Sequence, residues 1–256
     1  MNNNYLSIDS EKQSKNIESF IKEILQKQKK QKVVIGISGG VDSSVCLFLL
    51  KNSISLDNIF VVSLPYFSEK SGNVKDLIEY IKLPKGRLRE ISIKPMVDSI
   101  AKTLNIGSKD NVRKGNVMAR IRMVALYDLA KKTNALVCGT ENKSEYLLGY
   151  FTRFGDEASD FEPIRHLYKT QVYKLAKYLN IPKSVMETPP SANLWEGQSD
   201  EKEFGFSYQE ADVVLYLYFD KKKTVEFIEK QGFKNAKKII EFAKSNSYKH
   251  KTPYVI

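Results

Sequence analysis

Residues 33–45 read VVIGISGGVDSSV. The first five residues, VVIGI, are small and β-branched, as in a strand covered on both faces. Ser38, Gly39 and Gly40 interrupt the run, and a helical pattern extends from about Ser43 to Leu50. Adjacent glycines let the backbone fold tightly and aim several N–H groups at one point. The helix start adds a positive dipole end and unpaired donors, and Ser38, Ser43 and Ser44 add hydroxyls. A nest running through Gly36, Ile37, Ser38, Gly39, Gly40, Val41, Asp42 and Ser43 fits a pyrophosphate. Asp42 would repel bare phosphate, which points to a bridging Mg²⁺. The stretch is neither GxxxxGK[ST] nor GxGxxG, so it matches neither common nucleotide loop. An ordinary strand–turn–helix connection with a serine cap is the alternative for the glycines alone.

The surroundings repeat the strand-then-helix alternation. Ile17, Phe20, Ile21, Ile24 and Leu25 share one face of a helix expected over 10–30. Strands are expected at 33–37, 59–65, 89–94 and 134–140. Helices are expected at 73–82, 95–105, where Pro95 marks the start, and 114–133. This alternation gives an α/β chain: a Rossmann-like, doubly wound parallel sheet with helices on both faces. Ligands of such sheets bind outside the carboxyl ends of the strands, where SGGVDSS, LPYF and GTENKSE fall. Beyond 150 the texture changes. Residues 188–208 are rich in Pro, Gly and acids and read as a long functional loop, a lid that orders on ligand binding. Helices follow over YQEADVVLYLYF and 224–245.

Composition sets the remaining bounds. The chain has 256 residues, 42% hydrophobic and 28% charged, enough for one domain with a real core. No apolar run is long enough to span a membrane, and the polar N-terminus lacks a signal-peptide core, so a cytoplasmic location is expected. Cys46 and Cys138 lie in apolar settings and read as core residues, not as zinc ligands or a disulfide. The net charge of +11 comes from 41 Lys and Arg against 30 Asp and Glu, with lysines scattered over helices. That is a solvated basic surface more than a nucleic-acid footprint.

GISGGVDSS resembles the pyrophosphate loop of the ATP pyrophosphatase (adenine nucleotide α hydrolase-like) superfamily. KGNVMARIRM (114–123), GTENKSEYLLGYFTRFGDEASDFEPI (139–164), PPSANLWEGQSDEKEFGFSY (189–208) and the 250–251 His-Lys pair resemble, in order and spacing, the ammonia-dependent NAD⁺ synthetase family. The likeness runs from about residue 15 to the C-terminus. It implies a single synthetase unit over 1–256: an N-terminal helix (10–30), an ATP-binding α/β core (33–165), and a helical and loop region (166–256).

The resemblance implies a ligase that amidates nicotinic acid adenine dinucleotide with ammonia. ATP would first convert the carboxylate to an acyl-adenylate. Asp42 and Glu145 would hold Mg²⁺. Thr140, Lys169 and Ser191, with the glycine loop, would contact ATP. Arg120, Arg153, Asp160, His250 and Lys251 would bind the dinucleotide, and Asp160 is the candidate to orient or deprotonate the incoming nitrogen. Arg153 stands where many members have lysine, and Glu157 where a small residue is common; Glu157 is expected to point outward. Arg122 and Met118 are expected to be structural. The family is dimeric, so a homodimer is expected, with no nucleic-acid or membrane partner. Free ammonia is the implied donor unless a separate subunit supplies it. Two other readings stay open from the residues: a tRNA-modifying member of the superfamily, and a non-catalytic nucleotide-binding module.

Overall fold

Val33, Val34 and Ile35 are fully buried because β1 (Lys32–Gly36) lies inside a sheet covered on both faces. The computed structural model describes residues 5–67, 72–195 and 197–255. In it, β2 (Ile59–Ser63) and β4 (Ala135–Cys138) flank β1, and β3 (Leu88–Glu90) lies outside β2. All pairings are parallel, with Ile35 opposite both Val61 and Cys138.

The strand period of two divides the core. Val33, Ile35, Ile59 and Val61 pack against α1 (Ser10–Lys27), α2 (Val41–Ser53), α3 (Gly72–Tyr80) and α7 (Lys169–Tyr178), through Ile21, Leu49, Leu77 and Leu175. Val34, Phe60 and Val62 face the other way, against α4 (Lys94–Thr103) and α5 (Asn111–Thr133), through Val97, Met118 and Leu129. Each such fully buried aliphatic side chain contributes roughly 1.5–3 kcal/mol. The expected doubly wound sheet is present, Met118 packs as expected, and both cysteines are buried free thiols.

A separate apolar cluster joins the C-terminal half. Leu148 of α6 (Lys143–Leu148) meets Phe204 of α9 (Asp200–Phe204), Leu215 of α10 (Tyr208–Leu215), Ile228 of α11 (Val225–Lys230) and Ile239 of α12 (Ala236–Asn246). The short α8 (Lys183–Met186) follows α7. Among the described residues, no helix is long and apolar enough to cross a membrane.

Several boundaries differ from the sequence reading. The helix expected from Ser43 begins at Val41, because Gly40 is already extended (φ −86°, ψ 166°) as its N-cap. The strand expected over 89–94 stops at Glu90; beyond it the chain turns Ile93 into the core and starts α4 around Pro95. The helix expected over 224–245 divides into α11 and α12 at Gly232, whose φ of +95° ends the first. The expected 188–208 lid contains α9; Glu196 lies outside the described residues.

Candidate functional site

Parallel pairing places the carboxyl ends of β1 and β4 side by side, so the loops after Gly36 and Cys138 are neighbours. The first loop closes on itself. The Ser38 N–H donates to Ser43 Oγ (3.3 Å), the Gly40 N–H to Ser38 Oγ (3.2 Å), and the Ser44 hydroxyl to the Gly40 carbonyl (2.8 Å). Gly39 takes φ +80°, open to glycine at no steric cost, and a Cβ there would crowd Asn73 at 3.3 Å. Gly40 offers no side chain to cap α2, so the first-turn N–H groups of that helix are left for a ligand.

The second loop ends in a capping box. Asn142 Oδ1 accepts from the Glu145 N–H (3.0 Å), and Glu145 Oε2 accepts from the Asn142 N–H (3.4 Å). The same Asn142 side chain donates through Nδ2 to Asp42 Oδ1 at 3.0 Å, joining the starts of α6 and α2.

A third helix start completes the group. Lys169 opens α7, and its side chain is only 3% exposed. Its Nζ donates to Asp42 Oδ2 at 2.5 Å and to Glu145 Oε1 at 3.1 Å. A lysine in the first helical turn opposes the helix dipole, so fold stability alone does not favour it there. Burial pushes the ammonium toward losing its proton, but Asp42 and Glu145 outweigh this and raise its pKa. Burial raises the Glu145 carboxyl to about 8, with Lys169 opposing and Asp42 adding to the shift. Three positive helix ends, two carboxylates and one ammonium therefore meet at the glycine turn. The set suits a polyphosphate and a divalent ion that shields it.

Asp212 of α10, 0% exposed, fixes this geometry from behind. Its Oδ1 accepts from Ser144 Oγ (2.5 Å), its Oδ2 from the Thr170 N–H (2.7 Å), and Ser144 Oγ accepts from the Lys169 N–H (2.8 Å). Ser144 precedes Glu145 and Thr170 follows Lys169, so one carboxylate holds both helix starts in register. Burial lifts the Asp212 carboxyl to about 6, eased by these hydrogen bonds. The 188–208 segment reaches the same place. Tyr208 OH donates to Asp200 Oδ2 (3.1 Å), and the Tyr208 ring lies 5.3 Å from Lys169 Nζ.

The remaining expected residues fall into other groups. Arg120 and Arg153 are neighbours: Arg120 Nε donates to the Arg153 carbonyl (3.3 Å), and the Arg153 guanidinium lies over Tyr248 (5.2 Å). His250 donates from Nε2 to the Tyr146 carbonyl (2.6 Å), one residue beyond Glu145, so the tail is tied to α6. Lys251 is exposed. Lys249, which the sequence reading passed over, donates to the Gly149 and Phe151 carbonyls (2.6 and 3.0 Å). Thr140 is half-buried just after β4, and Ser191 Oγ accepts from the Asn193 N–H (3.1 Å) in its own loop. Asp160 caps the sheet edge, its Oδ2 accepting from the Val137 N–H (2.7 Å). Glu157 Oε2 accepts from the Phe154 N–H (3.2 Å), so that charge is half-buried in its own turn and does not simply point outward. Arg122 bonds the Leu64 carbonyl (3.2 Å) as a tie between α5 and the loop after β2. Asn142 was legible as the cap of an N-x-x-E pattern, whereas Asp212 and Asp200 gave no local signal.

The profile of the NAD synthase family matches residues 13–253. The chain is 37% identical over 254 residues to the NH(3)-dependent NAD(+) synthetase of Fusobacterium nucleatum, covering 98% of each. An NMN synthetase structure from Francisella tularensis superposes with a TM-score of 0.83 at 31% identity, covering 98% of this chain and 99% of that one. An NH3-dependent NAD synthetase from Campylobacter jejuni, solved with a nitrate ion, gives 0.78 at 32%, covering 97% and 100%.

Proposed function

The chain belongs to the NAD synthase family, and we propose that it is the ammonia-dependent ligase that amidates nicotinic acid adenine dinucleotide to NAD⁺ at the expense of ATP. The observation that carries this reading is the Lys169–Asp42–Glu145 cluster at the glycine turn. Family membership weighs against the tRNA-modifying and nucleotide-sensing readings.

The chemistry needs two steps. A carboxylate is a poor electrophile, so its oxygen first attacks the α-phosphorus of ATP and pyrophosphate leaves. Ammonia then attacks the acyl-adenylate carbon, AMP leaves, and one proton is released. The first step rests on positioning and on neutralising charge. The turn from Gly36 to Ser43 and the open start of α2 cradle the departing pyrophosphate. Lys169 reaches the same phosphates from α7. Thr140 and Ser191 contact ATP from the loop after β4 and from the 188–208 segment.

Asp42 and Glu145 fit Mg²⁺: both are hard oxygen donors, and Asn142 and Lys169 hold them at adjoining helix starts. No group of three metal-capable side chains exists among the described residues, so ATP phosphates and water would complete the coordination. When bound, the ion supplies charge neutralisation at the phosphates. Arg120 and Arg153 form a basic pair for the anionic dinucleotide, and His250 and Lys251 close that end from the tail. Asp160 orients the incoming nitrogen. The three segments act as one domain, the protein works as a homodimer, and its place is the cytoplasm.

The test is a coupled dehydrogenase assay with ATP, Mg²⁺, the acid dinucleotide and ammonium. NAD⁺ with ammonium but not with glutamine supports the reading. Because one structural relative carries the name NMN synthetase, nicotinic acid mononucleotide is the second substrate to run. Preference for it would move the substrate to the mononucleotide, and no product from either would remove the proposal.

A further inference from the structure

The short 3₁₀ turn after α12, Ser247–His250, grips the segment that carries Arg153. Three successive residues of it reach back to α6 and the loop beyond. Tyr248 lies under the Arg153 guanidinium at 5.2 Å. Lys249 Nζ donates to the Gly149 carbonyl (2.6 Å) and to the Phe151 carbonyl (3.0 Å). His250 Nε2 donates to the Tyr146 carbonyl (2.6 Å), and its ring packs on those of Tyr146 and Phe151 at 4.3 and 5.7 Å. Gly149 lets the two parts close, since a Cβ there would fall 2.5 Å from the Asn246 Cβ.

Lys249 is the central tie, and it has no part in the roles assigned above. Burial pulls its ammonium below the usual lysine range; Asp156 opposes this and Arg153 adds to it. A lysine gains nothing from an arginine beside it. What holds it is the pair of carbonyls at and beyond the end of α6, where a cation is favoured. Only Thr152 separates the clamped Phe151 from Arg153. The Thr152 N–H donates to Asp156 Oδ1 (3.0 Å) and its hydroxyl to Asn116 Oδ1 (2.9 Å). Arg120 Nε then donates to the Arg153 carbonyl (3.3 Å). The backbone over 149–153 therefore sets both guanidinium groups, Arg153 against Tyr248 and Arg120 through the Arg153 carbonyl.

We propose that Lys249 is a positioning residue for the acid dinucleotide: it clips the turn after α12 to the end of α6, so that Arg153 and Arg120 stand as one preformed basic pair for the anionic substrate. This rests on the amidation reading above. Lys249 gives its donors to the backbone, so it acts through the arginines and not on the substrate itself. A long side chain that is not held beforehand must be ordered when the substrate binds. Loss of the clip therefore weakens substrate binding and leaves the bond-making step alone.

Lys249→Met keeps most of the stem and removes the donors. The KM for the acid dinucleotide should rise about tenfold, the cost of a lost charge-assisted contact, with kcat and the KM for ATP within about twofold of native. Lys249→Arg keeps the charge and the donors and should restore most of the affinity. A readout without turnover is amide hydrogen exchange, faster over 149–153 in Lys249→Met and native-like in Lys249→Arg. Tyr248→Leu, a change at an exposed ring, keeps the test open should Lys249→Met fail to fold: it frees Arg153 alone and should raise the same KM. An unchanged dinucleotide KM in these variants overturns the proposal. So does a loss of kcat and ATP affinity in step with it, which would make the tie a support of the whole fold. Native protein that amidates neither the dinucleotide nor the mononucleotide sinks the amidation reading, and unchanged exchange over 149–153 in Lys249→Met then overturns the clip as well.

Discussion

Lys169 Nζ lies 2.5 Å from Asp42 Oδ2, although 127 residues separate them in the chain. The same ammonium meets Glu145 at 3.1 Å, so one buried cation balances carboxylates from two other helix starts. Removing one partner of a buried ionic group leaves the others uncompensated. We expect Lys169→Met to lower stability by about 3–5 kcal/mol in denaturant unfolding. It should also abolish pyrophosphate release. A variant of native stability would show that the pair is not held in a dry environment.

Asp42→Asn removes one counter-charge of the same group. The amide oxygen can still accept from Asn142, but Lys169 keeps only Glu145 as a counter-charge, so a stability loss of about 3 kcal/mol is expected. Pyrophosphate release should fall by on the order of a hundredfold or more, since the proposed phosphate-shielding ion would lose one of its ligands. Full release by this variant would remove Asp42 from the metal assignment.

Asp212 touches no proposed ligand position, yet it sets where Glu145 and Lys169 stand. In Asp212→Asn one of two donors, Ser144 Oγ or the Thr170 N–H, faces an NH₂ group instead of an acceptor. The expected cost is about 1–3 kcal/mol. A slight displacement of the reacting groups should lower kcat about tenfold to a hundredfold, with the KM for ammonium unaffected. Ser144→Ala should reproduce a milder form. Equal stability loss with unchanged kcat would mean that Asp212 is structural only.

Gly139→Ala places a methyl group where Glu162 Oε1 now lies. The carboxylate must leave its Ser159 and Glu141 partners, at about 1–3 kcal/mol. Thermal melts of this variant and of Gly139→Ala with Glu162→Ala check the cause. The double change should recover most of the loss; no recovery would mean that the backbone, not Glu162, demands the glycine.

Glu141 also predicts how stability responds to pH. Its carboxyl titrates near 4.5 when unfolded and near 9 in the folded chain, mainly because burial disfavours the charge. Between those values the folded state keeps a proton that the unfolded state has released. This group's contribution is therefore fully present below about pH 4.5 and declines as pH rises toward 9. Glu141→Gln should flatten that decline and melt above the native protein at alkaline pH. Identical pH curves for the two proteins would count against a buried Glu141.

Local pattern made the sheet readable. VVIGI in β1 and ALVC in β4 are short apolar runs followed by glycine turns, and a strand covered on both faces has no other sequence appearance. The glycine turn was readable for the same reason: a left-handed Gly39 and an uncapped helix start are properties of neighbouring residues. Edges were harder. β3 pairs with β2 alone and is only three residues long, and no local preference records where along a strand its pairing stops.

By itself, then, the sequence determined the α/β order, the glycine turn, the carboxylates at two helix starts and the likeness to the family, because each depends on residues near one another or on motifs in register. The tertiary structure decided which distant groups share a charge. It made Lys169, expected from the resemblance as an ATP contact, a buried ammonium between two acids, put Asp212 behind both helix starts, and set Glu141 against Glu162. The physical reason is burial. A charge exposed to water scarcely feels a partner along the chain, whereas a desolvated one must find a counter-charge or a proton wherever the fold brings it.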